Sequence, residues 1–198
     1  MASSSVNSRP VALILGHSFV RRLKRDLESH FDDRALLDFG LHKDAVVHLF
    51  GVGGRTVPKM VKFDLGVVAK MRPNIIILEL GTNDLSLVGP EMVGSAIDDL
   101  VNLLIEEFSV SVMEVCKTIP RHGSEPEVLV FNDQALILNN YLDVVFEQRP
   151  QVFAWQHKGF VSPSVCPYLP DGVHLNHFGQ YALYRSYRGA VIKALRML

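Results

Sequence analysis

The chain has 198 residues, charged side chains at 21% of its positions and a formal net charge of −1. This length fits one domain, and the near-neutral charge argues against a chain whose whole surface is a basic nucleic-acid footprint, while it leaves local basic patches open. The two cysteines, Cys116 and Cys166, are too few for a disulfide framework or a cysteine zinc site. We therefore expect a soluble protein of the reduced, cytoplasmic compartment.

The beginning of the chain is polar and rich in serine. We expect residues 1–9 to form a flexible N-terminal segment and residues 10–198 to form a single domain. The apolar stretch Val11–Leu15 is too short for a signal-peptide core or a membrane span. The sequence therefore predicts neither a secretion signal nor a transmembrane helix.

Strand and helix patterns alternate along the chain. The apolar run 11–15 stops at Gly16 and predicts a buried strand, and a helix follows it with Phe19, Val20, Leu23 and Leu27 on its apolar face. Further strands are predicted at 46–50, 74–80, 110–119 and 152–155, and further helices at about 57–71, 91–108, 134–146 and from 176 onward. Polar runs at 121–127 and 158–172 predict loops.

This alternation predicts a parallel sheet of about five strands with helices on both faces, a three-layer α/β/α sandwich in flavodoxin-like order. In the last helix the candidate core positions are Phe178, Tyr181, Ala182, Ile192 and Leu195. Sheets of this kind bind ligands at the carboxyl ends of their strands. That rule selects four segments for inspection: 16–18, 51–56, 81–85 and the residues before the last helix.

Ser18 follows the first predicted strand and opens the first predicted helix. A helix N-terminus favours developing negative charge, so a serine there suits nucleophilic catalysis. Serine is also a preferred N-cap residue and needs no catalytic role at such a place. Taken alone, the position favours the cap.

The loops after the second and third strands carry possible oxyanion donors. The glycines of loop 51–54 let backbone N–H groups approach a ligand, although an ordinary turn explains them equally well. In the run Gly-Thr-Asn-Asp at 81–84, the side-chain amide of Asn83 can donate to an oxyanion and Asp84 can brace the loop. The alternative for this loop is an Asx-type turn.

Asp171 precedes His174 by three residues, just ahead of the last helix. An aspartate at this spacing can hold the imidazole in one tautomer and leave the other ring nitrogen free as a base. The alternative is a solvated turn leading into a helix capped by Asn176. None of the other seven histidines has such a neighbour; His177, the nearest rival, is predicted to lie one step into the helix.

Together the four segments resemble the SGNH (GDSL-like) hydrolase superfamily. Its blocks are a serine near the N-terminus, a glycine, Gly-x-Asn-Asp, and Asp-x-x-His near the C-terminus, and their order and spacing match this chain from Val11 to the last helix. The resemblance implies a nucleophile, a base, an orienting acid and three oxyanion donors. Ser18 matches the nucleophile, His174 the base and Asp171 the orienting acid. Ser18, Gly54 and Asn83 match the oxyanion donors, and Gly53 is the neighbouring alternative to Gly54.

Position 17 departs from the family pattern, because the usual Gly-Asp-Ser reads Gly16-His17-Ser18 here. The change removes a negative charge beside the serine without removing a member of the triad. We expect the His17 side chain to point away from the substrate. Glu79, which interrupts an apolar strand, is expected to be a hydrogen-bonded structural acid.

A basic cluster, residues 21–25, lies on the first predicted helix. Such a cluster most often forms the solvent-exposed face of a helix. Attraction of an anionic substrate or a nucleic acid is the alternative. The run Gly-His-Ser-Phe-Val-Arg-Arg, which begins at Gly16, and the segment Leu183–Gly189 are also similar to SGNH-like domains of animal retroelement-derived proteins.

The resemblance implies a serine esterase that hydrolyses a carboxylic ester, acetyl or longer, through an acyl-enzyme on Ser18 and without a metal or organic cofactor. Two alternatives remain open. One is a binding module that keeps the fold with little or no turnover. The other is a nucleic-acid-associated domain of a mobile element.

Overall fold

The computed structural model describes residues 9–30, 36–160 and 165–198. In these residues five strands form one sheet: β1 Val11–Gly16, β2 Val46–Gly51, β3 Ile75–Glu79, β4 Val112–Cys116 and β5 Val152–Trp155. All neighbours pair in parallel, in the order β2-β1-β3-β4-β5. Most of the expected N-terminal segment, residues 1–8, lies outside the described residues, as do residues 161–164 of the predicted loop 158–172.

The described helices are α1 Ser18–His30, α2 Val57–Phe63, α3 Leu65–Met71, α4 Pro90–Phe108, α5 Pro126–Phe146 and α6 His177–Leu195. Alternate residues of the central strands face two separate cores. Ile14 and Ile77 belong to the core under α1 and α6, whereas Leu13 and Ile76 belong to the core under α2 to α5. The predicted three-layer α/β/α sandwich with about five parallel strands is confirmed.

One predicted helix is two helices, because the stretch 57–71 breaks at Asp64. The Asp64 side chain is buried against Arg55, with its two oxygens 2.7 and 2.8 Å from guanidinium nitrogens. Burial raises the pKa of Asp64, and the Arg55 charge acts in the opposite direction. The periodicity of the apolar residues continues across the break, so the sequence pattern conceals it.

The start of α5 and the inner face of α6 also differ from expectation. α5 begins at Pro126, a residue suited to the first helical position, so it takes in the last residues of the predicted loop 121–127. In α6 the expected core residues Phe178 and Tyr181 are exposed, whereas Ala182, Ile192 and Leu195 are partly buried. No helix within the described residues is both long and apolar enough to cross a membrane.

Candidate active site

The carboxyl ends of β1, β2 and β3 meet so closely that side chains are excluded between them. A Cβ atom at Gly16 would lie 2.5 Å from the backbone oxygen of Glu79, and one at Gly51 would lie 2.3 Å from the backbone nitrogen of Arg21. The backbone N–H of His17 donates to the same Glu79 oxygen. The loops selected from the sequence therefore share one edge of the sheet, as the doubly wound rule predicts.

Ser18 is the first residue of α1 and is partly buried. The preceding His17 accepts a hydrogen bond at its Nδ1 atom from the backbone N–H of Phe19, at 3.3 Å. This bond satisfies one of the free N–H groups that begin a helix, so His17 acts as a local cap. Among the described residues the Ser18 hydroxyl makes no hydrogen bond, and in particular none to His174.

His174 and Asp171 form the hydrogen bond that their spacing predicts. The His174 Nδ1 atom lies 2.7 Å from Asp171 Oδ2, while Asp171 Oδ1 accepts from the backbone N–H groups of Val173 and His174 at 2.9 and 2.8 Å. Slight burial favours the neutral acid, but these hydrogen bonds hold the pKa of Asp171 at about 2. Asp171 is therefore a carboxylate at neutral pH, and the Nε2 atom of His174 is left for another partner.

Backbone hydrogen bonds fix the turn that carries this pair. Leu169 donates to the carbonyl of His174 at 2.7 Å, and His122 donates to the carbonyl of Gly172 at 2.8 Å. Burial lowers the pKa of His17, and the charges of His157 and His174 lower it further, against the raising effect of Glu79.

Asn83 lies against the loop that contains Gly54. Its Nδ2 atom donates to the backbone carbonyl of Arg55 at 2.8 Å, which leaves the second N–H of the amide for a ligand. Gly54 has φ +66° and open space where a side chain would be. Asp84 accepts from the backbone N–H of Val57 at 2.9 Å, which joins its own loop, residues 81–84, to the start of α2.

A buried polar network lies beneath these loops. Glu79 accepts hydrogen bonds at Oε2 from the Nε2 atom of His157 and the hydroxyl of Tyr187, each at 2.8 Å. His17 is buried and directs its Nε2 atom toward Glu79, as expected for a side chain that does not face substrate. Burial opposes ionisation of Glu79, yet the histidines and Tyr187 hold its pKa below the usual value. The predicted hydrogen-bonded acid is confirmed.

The sequence reasoning missed His157 and Cys116, which complete this network. Ligand atoms of Glu79, Cys116 and His157 lie within 4.8 Å of one another, a spacing that would suit a metal ion. Burial raises the pKa of the Cys116 thiol well above its usual value, so the thiol stays protonated, and Glu79 is already bonded to His157. The group therefore acts as a hydrogen-bonded network. The one feature of the sequence that points to this network is the position of His157, two residues after the carboxyl end of β5.

A second buried acid, Glu114 on β4, was also missed. Neither of its carboxylate oxygens has a hydrogen-bond partner among the described residues. Burial raises the pKa of Glu114 to about 8, although the charge of Lys193 acts against the rise. At neutral pH this side chain is largely protonated, so it contributes no fixed charge to the sheet edge.

Solved structures of esterases and acylhydrolases share this fold. A candidate acylhydrolase from Bacteroides fragilis has a TM-score of 0.72 at 19% identity, covering 94% of this chain and 91% of that chain. A GDSL-like lipase from Bacteroides thetaiotaomicron has a TM-score of 0.68 at 15% identity, with coverage of 93% and 88%. A carbohydrate esterase family 3 protein from Talaromyces cellulolyticus has a TM-score of 0.65 at 15% identity, with coverage of 96% and 99%.

The architecture is therefore the α/β fold seen in GDSL-like lipases and esterases. No protein-family model and no curated protein matches the sequence. At these identities the likeness concerns the fold, so the roles of individual residues rest on the geometry of this chain. The similarity to retroelement-derived domains stays a prediction.

Proposed function

We propose that the chain is a serine hydrolase that cleaves carboxylic esters, with Ser18 as nucleophile and His174 as general base. The observation that carries the proposal is the Asp171–His174 hydrogen bond of 2.7 Å, in a turn that His122 joins to the loop after β4, while Ser18 opens α1 after β1. A carboxylate on Nδ1 fixes the imidazole tautomer and leaves Nε2 as the base. The fold of known esterases supports the same conclusion.

In the proposed reaction Ser18 Oγ forms a bond to the carbonyl carbon of the ester while His174 Nε2 takes the hydroxyl proton. The bond to the alcohol then breaks, and His174 returns the proton to the leaving oxygen. Water attacks the acyl-enzyme by the same two proton transfers and releases the acid. Asp171 stays ionised throughout, because its pKa is about 2.

The negative charge on the carbonyl oxygen needs donors that are aimed before the reaction starts. The backbone N–H groups of Ser18 and Gly54 and the second N–H of Asn83 fill this role in the proposal. Asn83 is held by its hydrogen bond to the carbonyl of Arg55, so its amide needs no reordering when substrate binds. Asp84 fixes the same loop through Val57.

The Ser18 hydroxyl is not bonded to His174 in the absence of substrate, and this is compatible with catalysis. Hydrogen bonds between nucleophile and base are often long before substrate binds and tighten in the complex. The same feature, together with His17 in place of aspartate, favours a second candidate: a binding module that retains the fold with weak turnover. The two candidates differ in whether Ser18 reacts.

The nucleic-acid alternative receives less support from the geometry of α1. Lys24 and Arg25 of the basic cluster lie near Glu28 and Asp26, at 3.8 Å in each case. Arg21 packs against Gly53, where a Cβ atom would lie 3.3 Å from its guanidinium. Much of the cluster is thus neutralised or in contact with the protein, so a small-molecule ester is the proposed partner.

A panel of esters with graded acyl length, from acetyl upward, tests the proposal. We expect hydrolysis by the unmodified chain, loss of nearly all activity in Ser18→Ala, and full activity in Ser95→Ala, which changes an exposed serine of α4. The cap of α1 comes from His17, and the Ser18 hydroxyl makes no hydrogen bond among the described residues, so Ser18→Ala should stay folded. Equal hydrolysis by Ser18→Ala and the unmodified chain would place the nucleophile elsewhere.

A further inference from the structure

Helix α5 has a second apolar face whose large side chains are exposed in the described residues. Its inner face, which includes Phe131, Leu138 and Leu142, is buried in the core. On the outer side, in a helix that is described throughout, five large apolar residues are exposed: Leu129 (52%), Val130 (57%), Leu136 (60%), Ile137 (46%) and Val144 (73%). At 3.6 residues per turn these five fall within an arc of about 120°. Contiguous exposed apolar surface of this kind marks an interaction site.

The polar residues on the same side indicate what kind of partner fits. Asp133 and Asn140 are exposed within the arc, and the sequence of α5 contains no lysine or arginine. Helices that lie on membranes carry basic residues on their polar face, so an anionic lipid surface is a poor match. The nearby acid Asp143 is paired with Lys117. The face therefore suits an apolar partner that offers a hydrogen-bond donor to Asp133.

The apolar and polar residues on the outer face of α5 follow a similar order from either end of the helix. The face can therefore pair with an antiparallel copy of itself. About the midpoint between Leu136 and Ile137, Leu129 and Val144 are equally distant on either side, and so are Asp133 and Asn140. Two antiparallel copies would then bring Leu129 opposite Val144, Leu136 opposite Ile137 and each Asp133 opposite the amide of an Asn140. Val130 would meet Asp143, whose charge is paired with Lys117. A two-fold axis requires this kind of self-complementary patch.

We propose that a second copy of this chain docks on α5, with the two α5 helices antiparallel about a two-fold axis near Leu136 and Ile137. A helix of 21 residues offers about 30 Å of contact along its length. At and just before the start of the neighbouring helix α4, Leu87, Val88 and Met92 are exposed as well. Because α5 lies across the sheet from α1 and α6, pairing leaves those two helices uncovered.

Sedimentation equilibrium of the full chain over a range of concentrations tests the interface. We expect the unmodified chain to reach a mass twice the 22.1 kDa of one chain. Leu136→Arg should weaken association at least tenfold while the far-UV circular dichroism stays unchanged. Val61→Lys, which alters an exposed apolar residue of α2, is the matched control and should associate like the unmodified chain. A chain that is monomeric at all concentrations would overturn the proposal, as would association unaffected by Leu136→Arg.

The antiparallel register has a sharper test. Leu129→Glu and Val144→Lys should each weaken association, whereas the double variant should restore it, because each new acid meets a new lysine of the other copy. Leu129→Glu combined with Ile137→Lys should not restore association, because these two positions are not paired across the axis. If both double variants associate equally, the proposed register is wrong. If the chain is monomeric and binds phosphatidylcholine vesicles, the partner of the outer face of α5 is a lipid surface and not a second copy.

Discussion

The Nε2 atom of His17 lies 3.7 Å from Oε1 of Glu79, and both side chains are buried. Burial and the neighbouring histidines keep His17 neutral, and its Nδ1 atom accepts from the N–H of Phe19, so its ring proton is on Nε2 and faces the carboxylate. The residue before the proposed nucleophile is thus held between the first turn of α1 and a buried acid. This arrangement gives His17 a positioning role beside Ser18.

His17→Asp should be poorly tolerated, although aspartate is the residue that GDSL-like hydrolases usually carry there. In this structure the change would place a second carboxylate beside Glu79 in a buried site. We expect a loss of a few kcal/mol in the free energy of unfolding, measured by urea denaturation. His17→Asn, which keeps an acceptor for the N–H of Phe19, should be less damaging.

The double variant His17→Asp with Glu79→Gln provides the control for this prediction. It removes the second charge, so part of the lost stability should return, and a double-mutant cycle should show coupling of at least about 0.5 kcal/mol. Additive effects of the two substitutions would mean that the two side chains do not interact in the folded protein.

Glu114 should make the protein less stable as the pH rises. Its pKa of about 8 in the folded chain exceeds the value of 4.5 for a free side chain, so the folded state binds the proton more tightly. The stabilisation is complete below about pH 4.5 and is lost as the pH rises toward 8, at about 1.4 kcal/mol per pKa unit. Urea denaturation from pH 5 to pH 8.5 should show a decline of a few kcal/mol.

Glu114→Gln isolates this contribution, because it keeps the shape and removes the titration. The decline in unfolding free energy between pH 5 and pH 8.5 should become clearly shallower in this variant. Glu107→Gln, at an exposed acid of α4, should leave the decline as it is. A slope that Glu114→Gln does not alter would assign the pH dependence to other groups.

The strand order and the Asp171–His174 pair were accessible from the sequence, and the buried network was not. Apolar runs that end at glycine, such as β1, and an acid three residues before a histidine are local signals. The Glu79–His157 hydrogen bond joins residues 78 positions apart, and no local sequence pattern predicts it. These side chains come together only through the sheet, in which β4 lies between β3 and β5, and through the packing of α6 on β3.

Helices with more than one apolar side were the other source of error. In α6 the sequence offers Phe178 and Tyr181 as core residues, yet the helix turns Leu183 and Tyr187 inward and leaves the first two exposed. In α5 apolar residues occupy the outer face as well as the inner face, so the sequence shows no single apolar stripe. The first two turns were therefore not predicted as helix. Periodicity identifies apolar faces, but the neighbouring elements decide which of them is buried.

Asn83→Ala should lower kcat by about 10²–10³ with a smaller change in KM, the usual effect of removing one oxyanion donor. Steady-state kinetics on a short-chain ester measures both constants. The variant also loses the hydrogen bond to Arg55, so a control of similar structural cost is needed. Asn139→Ala loses its bonds to the backbone of Thr118 and should keep kcat nearly unchanged. A rise in KM at constant kcat would make Asn83 a binding residue only.

The reactivity of Ser18 decides between a hydrolase and a binding module, and covalent labelling by a fluorophosphonate measures it directly. The reagent phosphonylates an activated serine, and mass spectrometry of the digested protein locates the modified residue. We expect the label on Ser18, attachment at least about 10²-fold slower in His174→Ala, and no effect of Ser95→Ala. An unlabelled protein, or a label on another serine, would show that Ser18 is not an activated nucleophile.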